Sequence, residues 1–435
     1  MTQLPPLSTG AWYEERQLVL EVPSSWRVRT HAPDTGDPLS DEEIAAAIRQ
    51  PSGRSLRELA LDARSVAVIV DDLTRPTPAE RLLPPLLAEL GEAGVARDRV
   101  TIILGTGTHG PASSDAVRRK LGDTARGCRI AGHDDRGPSV ALGRTSSGSH
   151  VAIDPVVAAA DLVVAIGGVY PQNTAAFGGG AKAILGVLAR RSIEDLHFGH
   201  GTDDGRYQID NDFRRDLEEM AQLARLSFSI SVLVDQHRRI VAIAAGDHRT
   251  YYRQMVEEAM RRYAAPPAGD ADVVLANAYP MDVSATFARS KGIIPLLHAQ
   301  RGASRILLAA CPEGVGHHGL FPLQPPAGLR ADLRALRRQL RYAPRSVPGL
   351  VAARLMRRFR RSAQASAPSH NPVIWFVTAP GAAASLAALP SIRVLDDWDR
   401  VLDEVEREQG RREGLSVAVY PSAPLQVMAG AGGGE

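Results

Sequence analysis

The chain has 435 residues, of which 44% are hydrophobic and 23% are charged, and its formal net charge is +2. This composition is typical of a globular protein with a buried core, and the length allows two or three domains. The two cysteines exclude a disulfide framework and any metal site built from thiolates alone. Residues 1–17 lack a signal-peptide pattern, and no apolar run reaches the roughly 18–20 residues that cross a bilayer. The sequence therefore predicts a soluble cytoplasmic protein.

Short apolar runs alternate with helical patterns over most of the first 250 residues. Buried strands are predicted within 65–72, 99–110, 161–170 and 230–236, and helices at 78–94, 113–123 and 192–200. This alternation is typical of an α/β domain with a mainly parallel sheet. In such sheets, ligands bind at the carboxyl ends of the strands, so the loops after the strands are the first place to look for a site.

A second alternation follows residues 261–274, which are rich in Ala, Pro and Gly. Strands are predicted within 272–280, 304–314, 372–379 and 391–397. We predict an α/β domain over 1–264 that carries the cofactor-binding motifs, a smaller α/β domain over 268–425 and a disordered tail over 426–435. The predicted fold class is α/β, with two domains of mainly parallel sheets and the active site in the cleft between them.

Residues 330–361 contain eleven arginines and a single acid, Asp332. We predict two helices here, within 331–342 and 349–361, whose Leu and Met side chains face the domain. A nucleic-acid-binding or membrane-surface patch is the alternative. Few aromatic residues lie among the arginines, which disfavours a platform for stacking bases. We therefore expect neither a membrane nor a nucleic acid as the partner.

The stretch DDLTRPTP (71–78) follows the first predicted strand. Asp and Thr often cap the next helix, and proline fits the first helical turn, so this stretch has a purely structural explanation. In the functional alternative, Arg75 is held rigidly between Thr74 and Pro76 and binds a carboxylate or a phosphate. Both interpretations stay open on this stretch alone.

The stretch GTGTHG (105–110) follows the second strand and matches the dinucleotide-binding pattern G-x-G-x-x-G. Pro111 is contrary to that geometry, because the third glycine should lie inside the helix, although Asp134 supplies the acid expected to bind ribose. His109 is unusual for a dinucleotide loop and suits an acid/base catalyst. A nicotinamide-dependent oxidoreductase is therefore one candidate function.

The stretch AAFGGGAKAILG (175–186) places three glycines before a lone lysine, Lys182. The glycines are Gly178, Gly179 and Gly180. A glycine run at a helix start lets backbone N–H groups bind an anion, but no hydroxyl follows the lysine to hold magnesium, so the phosphate-loop pattern fails. Farther on, His197 and His200 are three residues apart on a predicted helix, a spacing that can bind a metal.

The motifs DDLTRPTP, GTGTHG, HDD, YPQNTAAFGGGAKAI, SKG and CPEG occur in an order that resembles the nickel-dependent lactate racemase family. The resemblance covers residues 65–320. It implies a nickel-pincer nucleotide (the nickel complex of pyridinium-3,5-bisthiocarboxylic acid mononucleotide) joined covalently to Lys182. It also implies His197 as the protein ligand of nickel, with His200 as a second candidate, and proteins of cofactor biosynthesis as partners. Sulfur donors suit nickel.

The resemblance further implies a reaction and roles for individual residues. In the family, a base takes the proton of the substrate's α-hydroxyl, the α-hydride passes to the cofactor, and the resulting keto acid receives the hydride on its other face. His109 matches an acid/base of the family, Arg75 and Lys291 match groups that bind and polarise the substrate, and Asp72 matches a residue near the cofactor. The cofactor-binding set implied is Lys182, Asp72, Thr106, Thr108, Gly178, Gly179 and Gly180.

Two departures from the family pattern affect these expectations. Gln172 lies where the family has a second catalytic histidine, and glutamine does not take up a proton near neutral pH. His109 then serves both faces, another histidine replaces the missing one, the substrate supplies the group, or the chain no longer racemises. The replacement candidates are His133, His317 and His318.

Phe287 and Ala288 replace a tyrosine and a glutamine near the substrate. We therefore predict an isomerase, a racemase or epimerase of a 2-hydroxy acid other than lactate. Its catalytic set is His109, Arg75, Lys291 and Gln172. A nucleotide-binding relative without turnover, with the arginine-rich stretch as its interaction surface, is a further alternative.

Overall fold

The computed structural model describes residues 1–200, 207–324, 328–342, 371–389 and 392–428. Its strands are β1 Thr2–Gln3, β2 Leu7–Thr9, β3 Arg16–Leu18, β4 Glu21–Val22, β5 Arg27–Thr30, β6 Val66–Asp71, β7 Val100–Gly105, β8 Arg129–Gly132, β9 Val140–Arg144, β10 His150–Ile153, β11 Leu162–Gly168, β12 Leu226–Val234, β13 Ile240–Gly246, β14 Ala264–Ala265, β15 Val273–Asn277, β16 Ser304–Ala309, β17 Val373–Val377, β18 Arg393–Leu395, β19 Ser416–Tyr420 and β20 Val427–Met428.

Its α-helices are α1 Asp41–Arg49, α2 Leu56–Ala60, α3 Ala79–Glu92, α4 Ser114–Leu121, α5 Pro155–Ala159, α6 Arg190–Gly199, α7 Asp212–Leu223, α8 His248–Arg262, α9 Ala285–Gly292, α10 Ile294–Leu297, α11 Leu329–Arg341, α12 Ala382–Ala387 and α13 Trp398–Gln409. Three short 3₁₀ helices cover Arg97–Arg99, Gly122–Ala125 and Gly180–Val187. The strands and helices predicted within the described ranges are confirmed, and the helix predicted at 349–361 lies outside them. Within those ranges, no helix combines the length and the apolar character needed to cross a membrane.

Two six-stranded sheets organise the chain, as the α/β prediction requires. The first has the order β13-β12-β11-β6-β7-β8 and is parallel except for the β12–β13 pair. The second has the order β18-β17-β16-β15-β19-β5 and is parallel throughout. In the first sheet, the chain runs outward from β6 through β7 to β8 and then returns to place β11 on the other side of β6. The carboxyl ends of β6 and β11 therefore form the switch point at which ligands bind in such folds.

Helices cover both faces of the first sheet. Helix α3 shows why: its leucines recur at helical spacing, and all five are buried against the sheet, as the sequence predicts. They are Leu82, Leu83, Leu86, Leu87 and Leu90. The 3₁₀ helix Gly180–Val187, with α6 and α7, covers the opposite face.

The N-terminal strand β5 joins the edge of the second sheet, beside β19, although it precedes every strand of the first sheet. Strand β20 pairs with β14, so ordered structure extends to residue 428, whereas the tail was predicted to be disordered from residue 426. Residues 429–435 lie outside the described ranges. The division of the chain at 264–268 stays a prediction.

A close backbone approach fixes the end of β7 against the 3₁₀ helix. The amide of Gly107 donates to the carbonyl of Gly186 at 2.8 Å. A Cβ built on Gly186 would lie 2.6 Å from the carbonyl oxygen and 2.8 Å from the Cα of Gly105, closer than real contacts allow. Only glycine lets the two segments, and with them the two loops that bear His109 and Lys182, lie this close together.

We expect Gly186→Ala to destabilise the protein by about 1–3 kcal/mol, since the added methyl group overpacks against backbone that cannot move away. Urea unfolding of the purified chain measures the effect. The matched control is Gly199→Ala, because a Cβ at Gly199 would meet no atom within 4 Å. Equal unfolding midpoints for the two variants would show that the close approach is not a constraint.

Candidate active site

A cavity of about 540 Å³ opens at the switch point of the first sheet and is closed on one side by α9 and the segment before α11. Most of the predicted site residues line it: Asp72, Arg75, Thr106, Thr108, His109, Gln172, Gly178, Gly179, Lys182, His197 and Lys291. Gly180 and His200 do not line it. The two halves of the chain thus both contribute to one cavity, as expected for a site in a cleft.

The loop after β6 binds other parts of the site and does not cap α3. The N-cap of α3 is Pro78, which makes no side-chain capping bond. Instead, Asp72 accepts hydrogen bonds from the amide and the hydroxyl of Thr74, and Asp71 accepts one from the hydroxyl of Thr77 at 2.5 Å. Capping of α3 by Asp or Thr is therefore wrong for this stretch, and its functional interpretation stays a prediction.

Asp72 and His109 form a hydrogen-bonded pair, with 2.6 Å between Oδ2 and Nδ1. Burial lowers the pKa of His109, although the charge of Asp72 acts in the opposite direction. Burial alone would raise the pKa of Asp72, but His109 and Arg75 hold it well below its usual value. The carboxylate thus fixes the proton of the neutral ring on Nδ1 and leaves the Nε2 lone pair to act as a base.

Lys120, which the sequence analysis did not single out, fixes the neighbouring carboxylate. Its fully buried ammonium lies 2.7 Å from Asp71 and donates to the carbonyl of Arg75 at 3.0 Å. Trp12 covers the same ammonium with its ring, 4.5 Å away. Only the tertiary structure brings this helical lysine to the end of β6, so nothing in the local sequence marks it.

The glycines of GTGTHG serve the fold. Gly105 and Gly107 pack against the backbone of Leu185 and Gly186, and no Cβ would fit at Gly105 without moving that segment. Asp134, which the dinucleotide hypothesis needs at the ribose, does not line the cavity and accepts from the amide of Arg136 instead. These contacts disfavour the nicotinamide hypothesis.

The Lys182 amine lies in the cavity, and no described residue hydrogen-bonds or ion-pairs with it. Burial, together with the charges of Arg75 and Arg214, lowers its pKa from 10.5 to about 7. Arg214 also donates to the carbonyls of Phe177 and Gly179 at 3.4 Å and so holds the glycine run in place. A large fraction of this amine is therefore neutral, and nucleophilic, near neutral pH.

We expect Lys182 to react with an acylating reagent with a midpoint near pH 7, measured by mass spectrometry of its peptide. Arg75→Gln should raise that midpoint, because removing a nearby positive charge makes the ammonium form more favourable. The control is the same chain in denaturant, where the midpoint should return to about 10.4. A midpoint near that ordinary value in the folded protein would contradict the described environment.

His197 and His200 differ in what they can bind. Nδ1 of His197 donates to the carbonyl of Ile193 at 2.9 Å, and no described residue hydrogen-bonds to its Nε2. Burial lowers the pKa of His197 to about 4, so the ring is neutral at pH 7, the form that binds metals. His200 instead bonds to Asp216 through Nε2 at 2.8 Å, outside the cavity. Of the two, His197 is the one placed to bind a ligand in the cavity.

Gln172 faces Lys291 across the cavity. The Lys291 ammonium donates to Oε1 of Gln172 at 2.7 Å. The side-chain nitrogen of Gln172, Nε2, is buried, with no hydrogen-bond partner in the part of the chain that the structure describes. Gln172 therefore positions the Lys291 ammonium and offers a free N–H donor. Neither role requires the side chain to take up or release a proton.

The other three histidines proposed as replacements for the missing acid/base are placed differently. Both ring nitrogens of His133 are engaged, by Asp154 at 3.2 Å and by the carbonyl of Leu188 at 3.1 Å. His317 is exposed and does not line the cavity. His318 does line it, with its ring centre 5.0 Å from that of His109.

Helix α9 supplies one wall of the cavity. Phe287 lies in that wall with its ring 4.7 Å from His109, whereas the neighbouring Ala288 is buried outside it. The sequence analysis missed Arg289 and Ser290, which also line the cavity. Thr286 and Arg289 are three residues apart on α9 and therefore lie on the same face of the helix, the face that lines the cavity.

The described part of the arginine-rich stretch is helix α11, and two of its leucines, Leu333 and Leu336, do not face the domain. Leu333 and Leu336 are 46% and 44% exposed, so that prediction is wrong for these two. The contacts come from other residues: the Tyr342 hydroxyl donates to Asp195 at 2.6 Å, and the Arg338 guanidinium lies 4.6 Å from the ring centre of Phe198. Helix α11 therefore rests on α6, the helix that bears His197.

Comparisons with known proteins show which proteins this chain resembles. Residues 13–210 match the family model described as the lactate racemase N-terminal domain. The lactate racemase of Lactiplantibacillus plantarum is 26% identical over 326 residues, covering 71% of this chain and 76% of the relative. That of Thermoanaerobacterium thermosaccharolyticum is 28% identical over 298 residues, covering 65% and 69%.

Two solved structures share the fold. The lactate racemase apoprotein from T. thermosaccharolyticum superposes with a TM-score of 0.70 at 20% identity, covering 98% of this chain and all of that one. A Thermotoga maritima protein from a structural-genomics project gives 0.57 at 14% identity, covering 89% and 98%. The fold, the cavity and the curated relatives together define an enzyme of the isomerase class. The chain is similar to lactate racemases, and its residues 13–210 match the N-terminal domain of that family.

Proposed function

We propose that this enzyme racemises or epimerises a 2-hydroxy acid other than lactate, with a nickel-pincer nucleotide joined covalently to Lys182. One observation carries the proposal: Lys182, His197 and the Asp72–His109 pair line the same cavity, and no described residue hydrogen-bonds to the Lys182 amine or to Nε2 of His197. The reaction takes place in the cytoplasm, and cofactor-biosynthesis proteins load the chain. The relatives' names support the racemase class, and the remaining details are our inference.

The residues present fit such a nucleotide. Among the described residues, no group of three or more His, Cys, Asp or Glu side chains could hold a metal, so a metal in the cavity needs ligands beyond those that the described residues supply. His197 offers one nitrogen, and a pincer nucleotide brings the others. Lys182 offers a neutral amine for the covalent bond, and the orphaned amide nitrogen of Gln172 can donate to the bound group.

When bound, the nucleotide supplies an acceptor for the α-hydride of the substrate. The chain's own residues do the rest. Arg75 and Lys291 bind the substrate carboxylate and orient the α-carbon, because both cations line the cavity and carry donors that suit a carboxylate. Nε2 of His109 takes the hydroxyl proton as the carbonyl forms and returns it when the hydride is delivered to the other face.

The cavity wall that α9 supplies favours a substrate other than lactate. Phe287 presents an aromatic ring where the family has a tyrosine; this ring is edge-on to His109 and stacked against His318. An apolar wall favours a substrate with a larger apolar substituent than methyl, since burial of such a group is favourable. Arg289 lies in the same wall with a pKa lowered by burial, so the wall also carries a cation.

The first test separates attachment from turnover. Produced alongside the cofactor-biosynthesis enzymes, the wild type should gain the mass of one modified pyridinium mononucleotide, mapped to Lys182, and one nickel. Lys182→Ala should carry no covalent adduct. His109→Ala should keep the adduct and lose turnover of a hydroxy-acid panel by at least about 10²-fold, since it lacks the positioned base. An adduct on the Lys182→Ala protein would refute the attachment site.

A second test concerns the missing histidine. We expect Gln172→His to raise the rate of racemisation relative to wild type, because it restores an acid/base on the second face, a group typically worth about 10²–10⁴ in rate. Gln172→Asn is the control, since it keeps an amide and adds no base. Equal rates in the two variants would mean that a second histidine is not what limits this enzyme.

A further inference from the structure

His318 lies in the segment that closes the cavity, among aromatic rings. Its ring centre is 5.0 Å from that of His109, 6.0 Å from that of Phe287 and 5.3 Å from that of Phe321. These neighbours fix the orientation of the imidazole. It is therefore a rigid polar group immediately beside the proposed base.

The hydrogen bonds of His318 determine which nitrogen carries its proton. The backbone amides of Leu320 and Phe321 point to Nδ1 at 3.3 and 3.4 Å, and the hydroxyl of Thr108 lies 3.2 Å from the same atom. A backbone N–H can only donate, so Nδ1 is the acceptor and carries a lone pair. In the neutral ring the proton is then on Nε2, to which no described residue is hydrogen-bonded.

The surroundings also keep the ring neutral. Burial lowers the pKa of His318 to about 2, and the charges of Arg75 and Lys291 act in the same direction. A ring that is already protonated on Nε2, and whose Nδ1 accepts from two backbone amides, has no nitrogen with which to take a proton from the substrate. His318 therefore does not replace the missing second base.

We propose that His318 donates its Nε2–H to the reacting oxygen of the substrate while His109 exchanges the proton of that oxygen. This inference rests on the proposed function and adds a catalytic residue to it. His318 gives up no proton in this role. It stabilises the negative charge that develops on the oxygen as the hydroxyl proton leaves, and it polarises the carbonyl of the keto acid when the hydride returns. A fixed neutral donor of this kind is most effective in a water-poor cavity.

The first arm of the test reads the tautomer directly and needs no cofactor. Long-range ¹H–¹⁵N spectra of the purified chain at pH 7.5 should show the His318 ring neutral and protonated on Nε2. The signal is assigned by its disappearance in His318→Asn, with His317→Asn as the control for the neighbouring exposed histidine. A proton on Nδ1, or on both nitrogens, would overturn the proposal.

The second arm compares two amides in the loaded enzyme. His318→Asn keeps an acceptor for the two backbone amides but lacks the distal donor, so kcat should fall about 10²–10³-fold. His318→Gln extends an N–H toward the Nε2 position, so it should retain more activity than His318→Asn. His317→Asn should match the wild type. Wild-type kcat in His318→Asn, with normal cofactor loading, would overturn the donor role.

The two arms keep this inference distinguishable from the proposed function. A loaded wild type that converts no member of the hydroxy-acid panel would refute the function and, with it, donation to the substrate, whatever the tautomer. A wild type that racemises while His318→Asn loses nothing would refute only the inference.

Discussion

The site depends on two adjacent carboxylates at the carboxyl end of β6, each of which is held by a partner within the protein. Asp71 forms an ion pair with Lys120, with 2.7 Å between Oδ1 and Nζ. Asp72 is paired with His109, with 2.6 Å between Oδ2 and Nδ1. A buried carboxylate without a partner takes up a proton, and Asp72 would then no longer fix the tautomer of His109. Lys120 also bonds to the carbonyl of Arg75, so the same charge network holds the loop that presents this cation to the cavity.

Both carboxylates are engaged within the protein, and four cations line the cavity: Arg75, Lys182, Arg289 and Lys291. Lys182 has no described partner, and Lys291 bonds to the neutral amide of Gln172. Such a cavity favours anions, and a nucleotide phosphate and a substrate carboxylate are the anions that the proposed reaction requires. Burial lowers the pKa of Lys182 and of His318, and the positive charge of the cavity lowers both further.

Most of the architecture could be predicted from the sequence, since strand and helix periodicity is local. The leucines of α3 and the apolar runs of β6 and β11 show which faces are buried. In a parallel sheet, the residues that follow the strands come together at one edge, so DDLTRPTP, GTGTHG and the glycine run with Lys182 could be placed in one site. A resemblance of motifs, which is also local, indicated the family.

Contacts between distant segments were decided by the tertiary structure alone. Lys291 and Gln172 are 119 positions apart, and their hydrogen bond forms where α9 meets the loop that follows β11. The rotation of α6 about its axis, set by packing, turns His197 into the cavity and leaves His200 with Asp216, although their spacing alone could not separate them. The tautomer of His318 depends on backbone amides that no sequence pattern reveals. Sequence therefore determined the elements and the loops, and packing determined which polar atoms remain available for chemistry.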